Sequence, residues 1–582
     1  AFFQLFKDGL IYRGKRLVNW DPVTQTALAD DEVENEEVDG FFYYLKYPVC
    51  DASGTPIKAH GASTVGVGES SAYVTVATTR PETMLGDTAV ALNPTDPRAA
   101  ALKGKFVKLP IVGRIIPIIE DDYVVKPVQY GGDPTDPKAQ LATGFLKVTP
   151  AHDPNDYDIG QRHTLPVINV MAPDASISLD HGWAAQEAEQ AGNAELKPFL
   201  GLSREDARKQ IVRFFKDAGL LEDQKPYRHS VGHSYRSHVA IEPYLSDQWY
   251  CRVTDDRLKG AALRAMTPAQ RGAGLQPVSA ARPPSPASPE HGLETHATTS
   301  TPDLTFFPTR YAKTYQTWHE NIRDWCISRQ LWWGHRIPVW SKTILIDDRG
   351  LDACLDEAQF FSSGLDHILD TAQDDSDIVI QTSSDALRGG QGRESLRDYR
   401  GELVVFVATK NPATERNLVE GGFAQDPDVL DTWFSSALWP MSTLSWPMAA
   451  EAAKPKGGDL ATPQLADLER WNPTSVLCTA REIITLWVSR MVMFNEYFLG
   501  QVPFKHVFIH AMIQDGEGRK MSKSLGNGVD PLDIISSHGA DAMRFTLASM
   551  CTHTQDARMP VERDPATGRN TSPKFDLGRN FA

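Results

Sequence analysis

Apolar residues recur along this chain with two different periods, and the change from one to the other maps its organisation. Phe2 to Leu10 places them at helical spacing, with Gly9 as the stop. Arg16 to Pro22 predicts a short strand leading into a turn. The acidic cluster from Asp30 to Asp39 predicts a solvated face. From about Tyr47 the texture becomes β-rich. Tyr73 to Ala77 alternates and is β-branched, and Ile115 to Ile119 and Phe145 to Thr149 predict further strands. Asp153-Pro154 supplies an N-cap and first-turn pair for a short helix carrying Asp156 and Gly160. Leu202 to Leu221 predicts an amphipathic helix ending near Gly219, and His229 to Arg236 a turn between elements.

Met266 to Asp303 is rich in Pro, Ser, Ala, Gly and Thr and predicts a flexible insertion. Order returns at Trp318 to Trp340, where Trp318, Trp325, Trp332 and Trp333 are expected in core and pocket wall. Thr343 to about Phe423 carries no usable motif and predicts a small α/β insertion. Arg481 to Phe498 predicts a helix through Ile483, Ile484, Trp487, Val488, Met491, Val492 and Phe498. Val507 to Ile509 predicts a buried strand, and Asp530 to His538 and Ala540 to Ser549 two short helices divided by Gly539. Strands alternating with helices in this half favour an α/β fold built on a parallel, Rossmann-like nucleotide-binding sheet.

Length and composition narrow the class. At 582 residues the chain can hold several domains, and 41% hydrophobic with 23% charged residues predicts a soluble globular protein. There is no uninterrupted apolar run of roughly 18 residues and no signal-peptide pattern, so no membrane partner and a cytosolic address are expected. The six cysteines form no C-x-x-C pair, which points away from a zinc ribbon or a disulfide framework. A net charge of −16 argues against non-specific coating of nucleic acid, although a local basic strip would suffice for phosphate contacts.

The stretch with the most chemistry is His510 to Asp530, H-A-M-I-Q-D-G-E-G-R-K-M-S-K-S-L-G-N-G-V-D. It holds Gly516, Gly518, Gly526 and Gly528 and two lysines, Lys520 and Lys523. A glycine-rich loop can bring its backbone close to phosphates, and two ammonium groups can neutralise charge as phosphate oxygens separate. The string Lys520-Met521-Ser522-Lys523-Ser524 resembles the signature loop of class I aminoacyl-tRNA synthetases. The blocks Gly9 to Glu34, Thr78 to Pro94 with Thr149 to His163, Asp324 to Trp340, Asp426 to Pro440 and Val507 to Arg544 resemble the valyl branch of that class. Within Arg329 to Pro338, His335-Arg336 before Ile337-Pro338 favours that branch over the isoleucyl and leucyl ones.

The resemblance implies a two-step reaction, activation of valine by ATP with Mg²⁺ and transfer to tRNA(Val), by a monomer with no protein-bound metal. It implies catalysis by Lys520, Ser522 and Lys523, and ATP binding by these lysines with Met521, Ser524 and Glu482. It implies a valine pocket of Trp333, Ile483 and Trp487. It also implies that the β-rich insertion is an editing domain, with Thr78, Thr79, Arg80 and Asp156 acting on threonyl-tRNA(Val). The physical need is that an apolar pocket rejects an added hydroxyl by only about a hundredfold, a figure that comes from valyl enzymes themselves. One departure stands out. Thr479-Ala480-Arg481-Glu482 has Ala480 and Glu482 where the family has glycine and aspartate.

The expected layout is a catalytic domain at 1–46, 229–266, 304–340 and 424–555. An editing domain occupies 47–228, a flexible linker 267–303, an insertion 341–423, and the start of an anticodon-binding domain 556–582. The family's H-I-G-H signature is absent from the sequence. Both ends are expected to be cuts in a longer protein, and this piece alone is expected to activate valine very poorly. An isoleucyl-type synthetase and a stand-alone trans-editing deacylase are the alternatives.

Overall fold

The computed structural model describes residues 1–57, 66–67, 72–181, 195–267, 303–348, 378–383, 401–447, 463–521, 526–551, 556–563, 565 and 568–576. Most of the expected 267–303 linker, much of the 341–423 insertion, and Ser522, Lys523 and Ser524 lie outside these.

Two hydrophobic clusters dominate. The first gathers Phe2, Phe6 and Leu10 from the opening segment, Trp249, Ile327 and Val339 from the middle, and Met491, Phe494 and Val507 from the last third. The helix Phe2–Lys7 forms because its four buried residues, Phe2, Phe3, Leu5 and Phe6, fall on one side. Each such side chain contributes about 1.5–3 kcal/mol when fully buried. The second cluster is drawn from residues 45 to 215, including Tyr47, Val74, Leu92, Ile116, Phe145, Ile211 and Phe215.

A long antiparallel ribbon joins the two. Val33–Cys50 pairs with Leu221–Ser234 from Leu45 opposite Leu221 to Val33 opposite Ser234. The expected turn at His229 to Arg236 is therefore corrected: His229 and His233 sit within a strand. Four residues of strand span about 13 Å, too far for the two imidazoles to share one ion. Of the acidic cluster expected to be solvated, Glu34, Glu36 and Glu37 on the facing strand are exposed, whereas Glu32 is buried and paired with Arg236 and Arg329.

The first body holds two sheets that matter for function. Ile11–Asp21 pairs antiparallel with Glu242–Cys251 and with Thr26–Leu28. Phe504–His510 lies between Thr305–Phe307 and Thr474–Ala480, parallel to both. Its pattern is not a uniformly buried strand: Val507 and Ile509 face the core, while Phe508 is 48% exposed. The second body is one twisted sheet in which Ala72–Thr78, Phe106–Lys108, Ile115–Glu120, Ala89–Leu92 and Phe145–Val148 extend from Val33–Cys50. The helix Arg204–Asp217 packs Ala207, Ile211 and Phe215 onto it. Residues 340–425 carry a separate antiparallel sheet with the helix Pro412–Glu420 beside it.

Two further expectations are corrected. Trp332 and Trp333 are 93% and 82% exposed, whereas Trp325 is buried and Trp318 partly so. Arg481 to Phe498 is not one α-helix. A 3₁₀ turn over Arg481–Ile483 and a π-helical turn over Ile484–Val488 precede the α-helix Ser489–Leu499, which Gly500 ends at φ +69°.

Candidate functional site

Two sets of polar side chains stand out, one on each body. The first lies at the carboxyl edge of the parallel strands, where open α/β sheets place their ligands. Thr474–Ala480 and Phe504–His510 end side by side, with Ala480 opposite His510. Glu482 follows the first strand and the glycine-rich loop follows the second. Arg481 ties them: it pairs with Asp556 at 2.6 Å, and Asp556 accepts from the Met512 backbone N–H at 3.1 Å.

Within the loop, Asp515 is the hub. It is buried and accepts from the backbone N–H groups of Glu517 and Arg519, from the Arg519 guanidinium, and from Asn527 Nδ2. The Asn527 and Arg519 bonds hold its carboxyl well below the usual carboxylate range. Asn527 also donates to the Lys520 carbonyl at 3.1 Å, and Asn570 donates to the carbonyls of Gly526 and Gly528 at 2.7 and 2.8 Å. The two ends of the loop are thereby fixed while Lys520 is exposed. Met521 packs against a small cluster of Ile534, Met559 and Phe575. The Asp530 side chain caps the following helix at Leu532 N–H, 2.8 Å, as its sequence predicts.

Glu482 is exposed and lines a cleft of about 1020 Å³ between the two bodies. The first body contributes Asn19, Trp318 and Arg490 to this cleft, and the second contributes Tyr157 and Gln161 from the helix Pro154–His163. Ile483 and Trp487 are half-buried, and Trp487 Nε1 donates to the Ser436 carbonyl at 3.2 Å. Trp333 does not share that setting. Its ring neighbour is Trp332, 6.0 Å away by centroid.

The second set surrounds the end of Ala72–Thr78. Thr78 is buried and its Oγ1 accepts from the Arg80 backbone N–H at 3.0 Å; Thr79 is half-buried. Arg80 is closely held, donating to Glu82 at 3.2 Å, to the His152 carbonyl at 3.2 Å and to Glu242 at 2.5 Å. Asp156, in the first turn of Pro154–His163, accepts from Thr149 N–H at 2.8 Å. Burial pushes its carboxyl up to about 7, with Asp153 and Asp87 adding and Lys147 opposing. His152 Nε2 accepts from Val170 N–H at 3.0 Å, and burial drives its pKa well below the ordinary histidine value, so the ring is neutral.

Behind Asp156 is a network that the sequence reading missed. Lys147 Nζ reaches Thr83 Oγ1 at 2.8 Å, Asp87 Oδ1 at 3.3 Å and Thr149 Oγ1. Asp87 also accepts from Thr149 Oγ1 at 2.6 Å and from Tyr47 OH at 2.8 Å. A signal existed: in Phe145–Val148, lysine stands at the inward parity shared with buried Phe145. Among the described residues no group of three or more His, Cys, Asp or Glu side chains could hold a metal ion, and no helix is long and apolar enough to cross a membrane.

Comparison with known proteins sets these sites in a family. A valine–tRNA ligase from Bacillus cereus is 39% identical over 567 residues, covering 97% of this chain and 47% of the relative. Those from Geobacillus kaustophilus and Listeria monocytogenes are 40% and 38% identical over the same length. The chain thus spans about half the length of the curated relatives it matches. A solved leucyl synthetase complex from Agrobacterium radiobacter aligns with 100% of this chain and 58% of its own, at 16% identity and a TM-score of 0.29, too distant to bear on either site. The family model for "tRNA synthetases class I (I, L, M and V)" matches residues 1–279, 287–363 and 408–560, and the chain belongs to that family.

Proposed function

We propose that this chain is the central part of a valine–tRNA ligase with a hydrolytic editing site. The observation that carries the synthetic half is the tethered lysine loop at the carboxyl edge of the parallel strands, with Lys520 exposed and the Arg481–Asp556 pair tying the two strand ends. In the first step a valine carboxylate oxygen attacks the α-phosphorus of ATP. The bond to the bridging oxygen breaks, and pyrophosphate leaves with its Mg²⁺. Lys520, with Lys523, neutralises the departing charge, and the held ends of the loop limit how far its backbone must move to bring them there. Glu482 takes the ribose or the valine ammonium. Trp333, Ile483 and Trp487 form the apolar pocket, which requires Trp333 to be covered when substrates are bound. In the second step the terminal ribose hydroxyl of tRNA(Val) attacks the valyl carbonyl and AMP leaves.

The hydrolytic half rests on residues 47–228 forming the editing domain. Water attacks the ester carbonyl of threonyl-tRNA(Val), releasing threonine and tRNA. Asp156 receives the α-ammonium, whose charge favours the ionised carboxylate, and Thr78 and Thr79 offer hydroxyls to the threonine side chain. The cleft between the bodies reaches from Glu482 to the helix that carries Asp156, which suits a tRNA end that visits both sites.

The deciding experiment incubates the chain with threonyl-tRNA(Val), valyl-tRNA(Val) and valyl-tRNA(Ile). Threonine release is expected at least about tenfold faster than either valine release, since a polar site favours a substrate hydroxyl. Faster hydrolysis of valyl-tRNA(Ile) identifies an isoleucyl-type enzyme instead. No ester hydrolysis refutes the editing half.

A further inference from the structure

Arg80 was expected to face substrate, yet much of its guanidinium is turned toward the other body. Glu242 opens the strand Glu242–Cys251, which belongs to the first body and pairs with Ile11–Asp21. Its carboxylate is 3% exposed and bridges two arginines of the second body: Oε2 accepts from Arg80 at 2.5 Å, and Oε1 accepts from Arg204 at 2.8 Å. Arg204 also donates to the Ala240 carbonyl at 2.8 Å. Arg80 passes the contact on to Glu82, which Arg208 grips with two bonds of 2.8 and 2.7 Å. Its remaining bond fixes the His152 carbonyl, four residues before Asp156. Trp20, directly opposite Glu242 in the sheet, makes a second crossing: its Nε1 donates to the Pro173 carbonyl at 2.8 Å. The end of this two-stranded pair is thus a docking edge for the second body.

We infer that Glu242 is a positioning residue of the hydrolytic site: a carboxylate from the synthetic body that sets Arg80, and through it the Thr78–Arg80 turn and the His152 backbone. The inference rests on the editing reading given above. A buried charge with two bidentate-capable partners is strongly directional, and small misplacements of a site are costly in rate. The contact also means that the hydrolytic site is completed only when the two bodies are docked.

The test compares Glu242→Gln with Arg204→Met in the full chain. Both weaken the same buried cluster, but only the first takes a charged acceptor from Arg80, which then keeps Glu82 and the His152 carbonyl. For Glu242→Gln, kcat for threonyl-tRNA(Val) hydrolysis is expected to fall about 10- to 100-fold with KM within about twofold. For Arg204→Met, kcat is expected to stay within about threefold of wild type. Amide hydrogen exchange over residues 78–84 and 149–156 is expected to quicken about tenfold in Glu242→Gln and little in Arg204→Met. Equal losses in the two variants, tracking their melting temperatures, would show a purely structural tie and overturn the inference. So would unchanged kcat and exchange in Glu242→Gln. If wild type hydrolyses no threonyl ester, the editing reading fails, and the exchange comparison by itself still decides whether Glu242 orders the Arg80 turn.

Discussion

Replacing Lys147 with methionine tests whether a buried ion pair holds the second body together behind Asp156. Methionine retains most of the lysine stem, so the change removes charge and hydrogen bonds with little lost volume. Three contacts of Nζ disappear, to Thr83, Asp87 and Thr149. Asp87 is 0% exposed and keeps only its hydroxyl donors, Tyr47 and Thr149. Breaking a buried pair by removing one partner typically costs about 3–5 kcal/mol. The two remaining hydroxyl bonds place the expected loss near the lower end, about 3 kcal/mol, out of roughly 5–15 kcal/mol for a whole domain. The loss should also depend on pH. Burial already raises Asp87 above the ordinary aspartate value, and without the ammonium it rises further. Between the unfolded value and that raised one, the folded variant binds a proton that the unfolded chain does not. Its stability therefore falls as pH rises through that window, and the deficit against wild type is larger at pH 8 than at pH 5. Adding Asp87→Asn should recover about 2 kcal/mol of the loss, a coupling expected for groups in contact. The assay is urea-dependent hydrogen exchange on the amides of Ala89–Leu92 and Phe145–Val148, which pair with each other and report opening of this body alone. A deficit under about 1 kcal/mol that is flat with pH would refute the reasoning and leave the hydroxyls as the main support.

Four more outcomes are expected. Asp156→Asn should lower kcat/KM for threonyl-tRNA(Val) hydrolysis about 10- to 100-fold, most of all above pH 7, because the wild-type carboxyl titrates near 7. The same raised pKa makes wild-type stability fall as pH climbs from the unfolded value to about 7, and Asp156→Asn should flatten that part of a pH–melting curve. Lys520→Ala should weaken ATP binding about tenfold by titration calorimetry without shifting the melting temperature, since the side chain is exposed. Asn570→Ala frees the Gly526 and Gly528 carbonyls and should weaken ATP binding about fivefold, in line with about 1 kcal/mol for lost hydrogen bonds.

How much could be read in advance differs from element to element. Local patterns were legible wherever the reason is local. The helix Pro154–His163 starts at Asp153 because that side chain accepts from Asn155 and Asp156 N–H, three residues of sequence that need no tertiary partner. The helices Pro531–His538 and Ala540–Met550 break at Gly539, which adopts φ +89°. The strand at His229 was missed because its partner, Val38, lies far away in sequence and its own residues are mostly polar, without an alternating apolar face. Helical periodicity over Arg481 to Phe498 could not distinguish α from π geometry, since both leave an apolar stripe.

The sequence by itself determined the family, the lysine loop and the alternation of strands and helices, because these depend on residue types at short spacings. Only the tertiary structure decided which charges meet. Arg80 could have faced substrate from its local motif alone, but the ribbon and the docking edge bring Glu242 to it from 162 residues away. Trp333 has the composition of a core residue and stands 82% exposed. Coulomb and packing energies depend on distance in space, and distance in space is set by the whole path of the chain.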